Sequence, residues 1–225
     1  MYPYGLIGNC QTSALVGLNG AVEWMCAPQP DSPPVIGRLL DPDGGHFSIA
    51  SAISSTEIKT EQRYLANTNI LLTTVTLPNG DAFQMTDFCP RFEQYGRIYR
   101  PAALFRLVEP LQGIPGIRVS CRPVSGWEKT PVQPVRGSNH LRYDIRGESL
   151  RLLTNMPLTY LCDETPVALT RSSILVSRGD SALKTTSSKS HTTFLNRQYA
   201  TGASGSKTAR CRCCINRRSS APLWP

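Results

Sequence analysis

Turn chemistry limits what this chain can fold into more than any other feature. Asn19-Gly20, Pro78-Asn79-Gly80-Asp81, Leu111-Gln112-Gly113-Ile114-Pro115 and Arg146-Gly147-Glu148 each interrupt a short apolar run. Asn-Gly pairs supply the positive φ angles of two-residue hairpin turns, so the flanking runs read as antiparallel strands. Ala14–Val16 and Ala21–Trp24 flank the first turn, and Asn69–Leu77 and Ala82–Phe88 the second. Ala103–Glu109 and Gly116–Arg122 are expected to form the next pair, followed by His140–Ile145 with Leu150–Thr154. His46–Ala50, Thr56–Leu65, Pro166–Leu169 and Ser173–Ser177 complete the series. Leu141, Tyr143 and Ile145 alternate with Arg142 and Asp144, the pattern of a strand with one face in the core. No helical period of ten residues separates these runs, and 18 Pro and 17 Gly favour turns over long helices. The expected fold is all-β, an antiparallel β-sandwich. The segment from Pro123 to Ser138, with prolines at 123, 131 and 134, is expected to be a surface loop.

Charge divides the chain in two. Its net charge is +8, yet residues 1–183 hold 16 Lys+Arg against 16 Asp+Glu. The surplus lies in residues 184–225, which carry 8 basic and no acidic residues. That tail lacks hydrophobic periodicity and is expected to be disordered. The domain is therefore expected over 1–183 and the tail over 184–225, with neither a specific nucleic-acid partner nor a membrane partner. A basic-tail nucleic-acid adaptor is the rival reading; it requires salt-sensitive binding that disappears without the tail. No run approaches the roughly 20 apolar residues of a membrane span. Met1-Tyr2-Pro3-Tyr4 lacks the basic start and apolar core of a signal peptide, so a cytoplasmic location is expected. Cys10, Cys26, Cys89, Cys121 and Cys162 are scattered and read as free thiols; Cys211, Cys213 and Cys214 crowd the tail without a second ligand pair.

The stretch from Trp24 to Pro34 stands apart. Its prolines forbid helix, and Asp31-Ser32-Pro33 closes a rigid loop between strands. Trp24, Asp31, Ser32 and Pro33 are the candidate site, read as a contact with another domain. Asp31, Asp41, Asp43 and Asp87 read as turn or strand-end residues bonded to local backbone rather than as paired acids. Trp24 and Trp127 read as core or interface aromatics rather than sugar platforms. His46 shows no partner in the sequence, and Ser32 has no nucleophile elbow around it. No catalytic, cofactor or metal residue is assigned.

Tyr4-Gly5-Leu6-Ile7-Gly8, Ala14-Leu15-Val16, Gly20-Ala21-Val22-Glu23-Trp24 and Asp31-Ser32-Pro33 recur in a fixed order with Arg38-Leu39-Leu40-Asp41 and Gly44-Gly45-His46-Phe47. Arg63-Tyr64-Leu65, Thr68-Asn69-Ile70-Leu71 and Thr86-Asp87-Phe88 extend the series. Together they resemble the trehalase-like N-terminal domain of bacterial glycoside hydrolase family 15, the glucoamylase and trehalase family, over residues 2 to about 183. Asn9 departs from the pattern, standing where many members carry Asp, which suggests a missing charged contact.

The resemblance implies a non-catalytic β-sandwich placed before an (α/α)6 barrel. That barrel hydrolyses α-glucosidic bonds with inversion, through two glutamates. Neither glutamate falls in this sequence, so the barrel is expected to be absent, the chain alone inactive, and the missing barrel its natural partner. Self-association through the uncovered contact is also expected. A free-standing α-glucan-binding module is the second rival, and it calls for exposed coplanar aromatics. A reading shifted by one base near Leu183-Lys184 would restore family-like strings from Tyr199 to Lys207 and from Ile215 to Pro225. Residues 184–225 are therefore expected to be a frameshift product.

Overall fold

A computed structural model describes residues 3–94 and 97–179. The expectations for 184–225, including Cys211, Cys213 and Cys214, lie outside the described residues. The first strands are β1 (Tyr4–Gly8), β2 (Ser13–Gly17), β3 (Val22–Cys26), β4 (Pro34–Ile36) and β5 (His46–Ser51). Next come β6 (Lys59–Tyr64), β7 (Leu71–Thr76), β8 (Ala82–Phe88), β9 (Phe92–Gln94), β10 (Arg97–Tyr99) and the long β11 (Ala103–Gln112). The remainder are β12 (Gly116–Arg122), β13 (Val124–Ser125), β14 (Thr130–Pro131), β15 (Val135–Arg136), β16 (His140–Ile145), β17 (Glu148–Thr154), β18 (Val167–Ala168) and β19 (Ser173–Gly179). One short helix, α1 (Leu158–Cys162), interrupts them.

With β9–β10 and β13–β14 as separate two-stranded ribbons, two large antiparallel sheets dominate, confirming the all-β sandwich. One runs β1-β2-β3-β5-β12-β18, with β4 also on β3; the other runs β15-β16-β17-β19-β11-β8-β7-β6. Period-2 burial explains their packing. Ile7, Val16, Val22, Phe47, Ile49, Ile117 and Val119 of the first sheet meet Leu71, Val75, Phe83, Met85, Leu104, Val108 and Leu175 of the second in one core. A smaller cluster, with Leu72, Phe88, Phe105, Leu107 and Val176, lies on the opposite face of the second sheet, where Phe88 stacks on Phe105 at 5.3 Å.

Two sequence expectations are corrected. Ala103–Glu109 and Gly116–Arg122 are not partners: β11 pairs with β8 and β19, whereas β12 pairs with β5 and β18. Residues 113–115 carry the chain across the sandwich from one sheet to the other, and a local turn signal cannot distinguish that crossing from a hairpin. The segment from Pro123 to Ser138 is also not a plain loop. It contains β13, β14 and β15, with a single 3-10 turn at Gly126–Glu128.

The sheets are fastened by a buried guanidinium that pairs with a carboxylate on its own sheet and crosses the core to the other. Asp87 on β8 and Arg106 on β11 both have side chains 0% exposed. Arg106 Nε donates to Asp87 Oδ1 at 2.9 Å and Nη2 to Oδ2 at 3.1 Å. The guanidinium then reaches the facing sheet, donating from Nη1 to the Phe47 carbonyl at 2.8 Å and from Nη2 to the Gly20 carbonyl. It lies over the Phe47 ring, 4.8 Å from the centroid. Asp87 is therefore a core residue, not a strand-end acid bonded to its own turn.

Asn9 leaves no contact wanting. It is fully buried; its Nδ2 donates to the Pro90 and Pro101 carbonyls at 2.8 Å each, and its Oδ1 accepts from Gln11 and Thr12 backbone N–H. An ionised carboxylate could make only the last two bonds.

Candidate functional site

The loop between β3 and β4 and the β13–β14 hairpin meet at one end of the sandwich. Ala27-Pro28 is a cis peptide, and the loop closes with the Ser32 backbone N–H donating to the Gln29 carbonyl and Ser32 Oγ accepting from the Gln29 N–H at 3.2 Å. Asp31 is exposed at the tip. Pro33 packs against Gly126, the first residue of the 3-10 turn. The next residue, Trp127, is 63% exposed and tilts against Trp24, with ring centroids 6.0 Å apart and planes at 47°. Lys129 Nζ donates to Asp41 Oδ2 at 2.6 Å, tying the same hairpin to the turn that displays Leu40, 68% exposed. That bond and one from the Asp43 N–H hold the Asp41 carboxyl below its ordinary range.

Behind the loop lies an apolar pocket of about 300 Å³. Pro28, Pro33 and Val35 form one wall, and Ile145 and Leu150, from either side of the β16–β17 turn, form the other. The buried Ser149 Oγ in its lining has no hydrogen-bond partner. Ser32 and Pro33 thus line the pocket and Trp24 supports its neighbour Trp127, while Asp31 stays on the rim. Sequence reasoning gave the loop but not its partners. Trp127 and Leu40 are distant in sequence, and only the register of β3, β4 and the β13–β14 hairpin brings them alongside. The tilted tryptophans share no plane, so they do not offer the flat aromatic face expected of a glucan-binding module.

A second cavity, of about 520 Å³, lies on the other side of the β13–β14 hairpin. His46 on β5 and Arg122 on β12 are cross-strand neighbours there. Arg122 Nε and Nη2 donate to Glu164 Oε1 and Oε2 at 2.7 Å each, and Ser120 Oγ donates to the same Oε1 at 2.7 Å. His46 Nε2 lies 3.0 Å from Ser120 Oγ, so His46 is not the partnerless histidine its sequence suggests. Burial and the charges of Arg38 and Arg122 lower its pKa. For Glu164, burial acts to raise the pKa, but the Arg122 and Ser120 hydrogen bonds bring it below the ordinary value. Here the serine lies between histidine and glutamate, the reverse of a nucleophilic triad, in which histidine takes the serine proton.

This is a two-sheet antiparallel module whose candidate sites are a loop-built apolar surface and a polar cavity beside it. Residues 3–143 match the family model described as trehalase-like, N-terminal, and the chain belongs to that family. It is 29% identical to a trehalase of Thermoplasma volcanium over 69% of this chain and 25% of that protein. It is 44% identical to trehalase 1 of Sulfolobus acidocaldarius over 40% of this chain and 15% of that one. Against a trehalase of Mycolicibacterium smegmatis the figures are 41% identity, 32% of this chain and 10% of that protein. The chain thus spans a quarter or less of the length of these curated relatives. No solved structure matches it. Among the described residues, no helix is long and apolar enough to cross a membrane.

Proposed function

We propose that the chain is the non-catalytic N-terminal module of a hydrolase of α-glucosidic bonds, and that it docks on a separate catalytic domain through the Trp24–Pro34 surface. The observation that carries this reading is where the sandwich ends. Gly179, the last described residue, pairs with Leu150, a wall of the apolar pocket. A domain that directly followed β19 would start from a strand next to the pocket. An exposed tryptophan beside a pocket is the kind of residue that dominates interface energetics. The trehalase names of the relatives make trehalose the first substrate to try for the whole protein. Both catalytic glutamates would come from the docked domain.

On this reading the chain releases no glucose by itself, and its uncovered surface drives weak self-association, visible by light scattering. Residues 184–225 are a frameshift product, which the gene sequence across the Leu183 and Lys184 codons tests directly. Free Cys10, Cys26, Cys89, Cys121 and Cys162 suit a reducing cytoplasm. The docking experiment supplies the catalytic domain of the Thermoplasma volcanium relative as a separate polypeptide. Co-purification with this chain, lost on Trp127→Ala combined with Leu40→Ser at unchanged circular dichroism, is the expected result. Glucose release by the purified chain, or co-purification that ignores both substitutions, overturns the proposal.

A further inference from the structure

The cavity around His46 and Glu164 has no part in the docking surface, and its chemistry is of another kind. Ser120 Oγ is a donor to Glu164, so it must accept from His46 Nε2. The proton then sits on Nε2, and a neutral imidazole keeps Nδ1 as an open acceptor. Glu164 is held at φ +49, outside the range most residues adopt, with its carboxylate locked between Ser120 and Arg122. Asp43 and Asp163 also line the cavity.

These acceptors do not converge. Among the described residues, no three His, Cys, Asp or Glu side chains come close enough to hold a metal ion. Acceptors that do not form a metal site, with a guanidinium among them, suit a ligand with several hydroxyl groups, each of which both donates and accepts. Pro42, Pro131, Val132 and Pro134 also line the cavity, apolar surfaces suited to C–H faces. The volume falls within the roughly 300–1,000 Å³ of small-molecule sites.

We propose that this cavity binds a neutral polyhydroxylated ligand of mono- or disaccharide size, held by Asp43, His46, Arg122 and Glu164. The inference stands whether or not the Trp24–Pro34 surface meets another domain. The test is titration calorimetry and saturation-transfer NMR on the full chain, with glucose and trehalose as probes and 1,4-diaminobutane as a cationic comparator. Saturable sugar binding is expected, weakened at least fivefold by Asp43→Ala and by Glu164→Gln, and unchanged by Trp127→Ala. Asp43 is exposed on a turn, so its variant reports on the site even if Glu164→Gln loosens the fold. Absence of saturable sugar binding, binding of the diamine instead, or loss of sugar binding in Trp127→Ala alone would each overturn the assignment.

Discussion

Removing one partner of the Asp87–Arg106 pair should cost more than removing both in simple proportion, and the structure indicates by how much. In Asp87→Ala the guanidinium remains, 0% exposed, with its charge unanswered. Breaking a buried pair from one side costs about 3–5 kcal/mol. Arg106→Met should cost at least as much, because it strands the carboxylate and also deprives the Phe47 and Gly20 carbonyls of a donor. Against a total stability of roughly 5–15 kcal/mol for a domain, either change is severe. The double variant buries no charge. It retains the two orphaned carbonyls, at about 1–3 kcal/mol each, and a small cavity. Its loss should therefore fall short of the sum of the single losses by at least about 2 kcal/mol. Urea unfolding of the three variants, followed by tryptophan fluorescence, measures that coupling. Additivity within about 0.5 kcal/mol would refute the reasoning, since independent sites behave that way.

Stability should also fall on both sides of neutrality. His46 and Glu164 have lowered pKa values, so the stability they contribute is complete above their ordinary 6.5 and 4.5 and is lost as pH falls. Glu164→Gln should flatten the acid limb of a stability–pH curve. Burial pushes the Cys89 thiol from 9.0 up to about 12, so its contribution is complete below pH 9 and is lost as pH rises towards 12, on the order of 4 kcal/mol in full. Cys89→Ala should lose less stability between pH 9 and 11 than the parent; equal slopes would contradict this. A third test separates backbone strain from steric clash. Gly147 has φ +83 and nothing within 4 Å of a would-be Cβ, so Gly147→Ala should cost only about 1–2 kcal/mol. Gly45, at φ +80, has the Arg122 carbonyl oxygen 2.6 Å from that position, and Gly45→Ala should cost clearly more in the same unfolding assay.

The strands were legible because turn residues and alternation are local signals. Asn79-Gly80 delimits β8 at Ala82–Phe88, and β16 and β17 fall on either side of Arg146-Gly147. Pairing over long separations was not legible. Only the assembled sandwich shows that β11 and β12 belong to different sheets, or that Trp24 meets Trp127. Arg106 did leave a trace, as a lone charge inside the apolar run from Ala103 to Val108, although no periodicity reveals that Asp87 answers it. Glu164 left none: it follows a five-residue helix, and its partners Ser120 and Arg122 lie more than forty residues away.

The position of β19 has a consequence for synthesis. It is the last described strand, yet it does not lie at an edge; it sits between β17 and β11, bonded to both. Until residues 173–179 emerge from the ribosome, the β15-β16-β17 ribbon cannot join the β11-β8-β7-β6 half of its sheet. Two unpaired edges, one along β17 and one along β11, then wait on the nascent chain, open to pairing with other strands. Ribosome-bound chains halted before residue 173 should therefore recruit chaperones and aggregate, and those halted far enough beyond 179 to clear the exit tunnel should not.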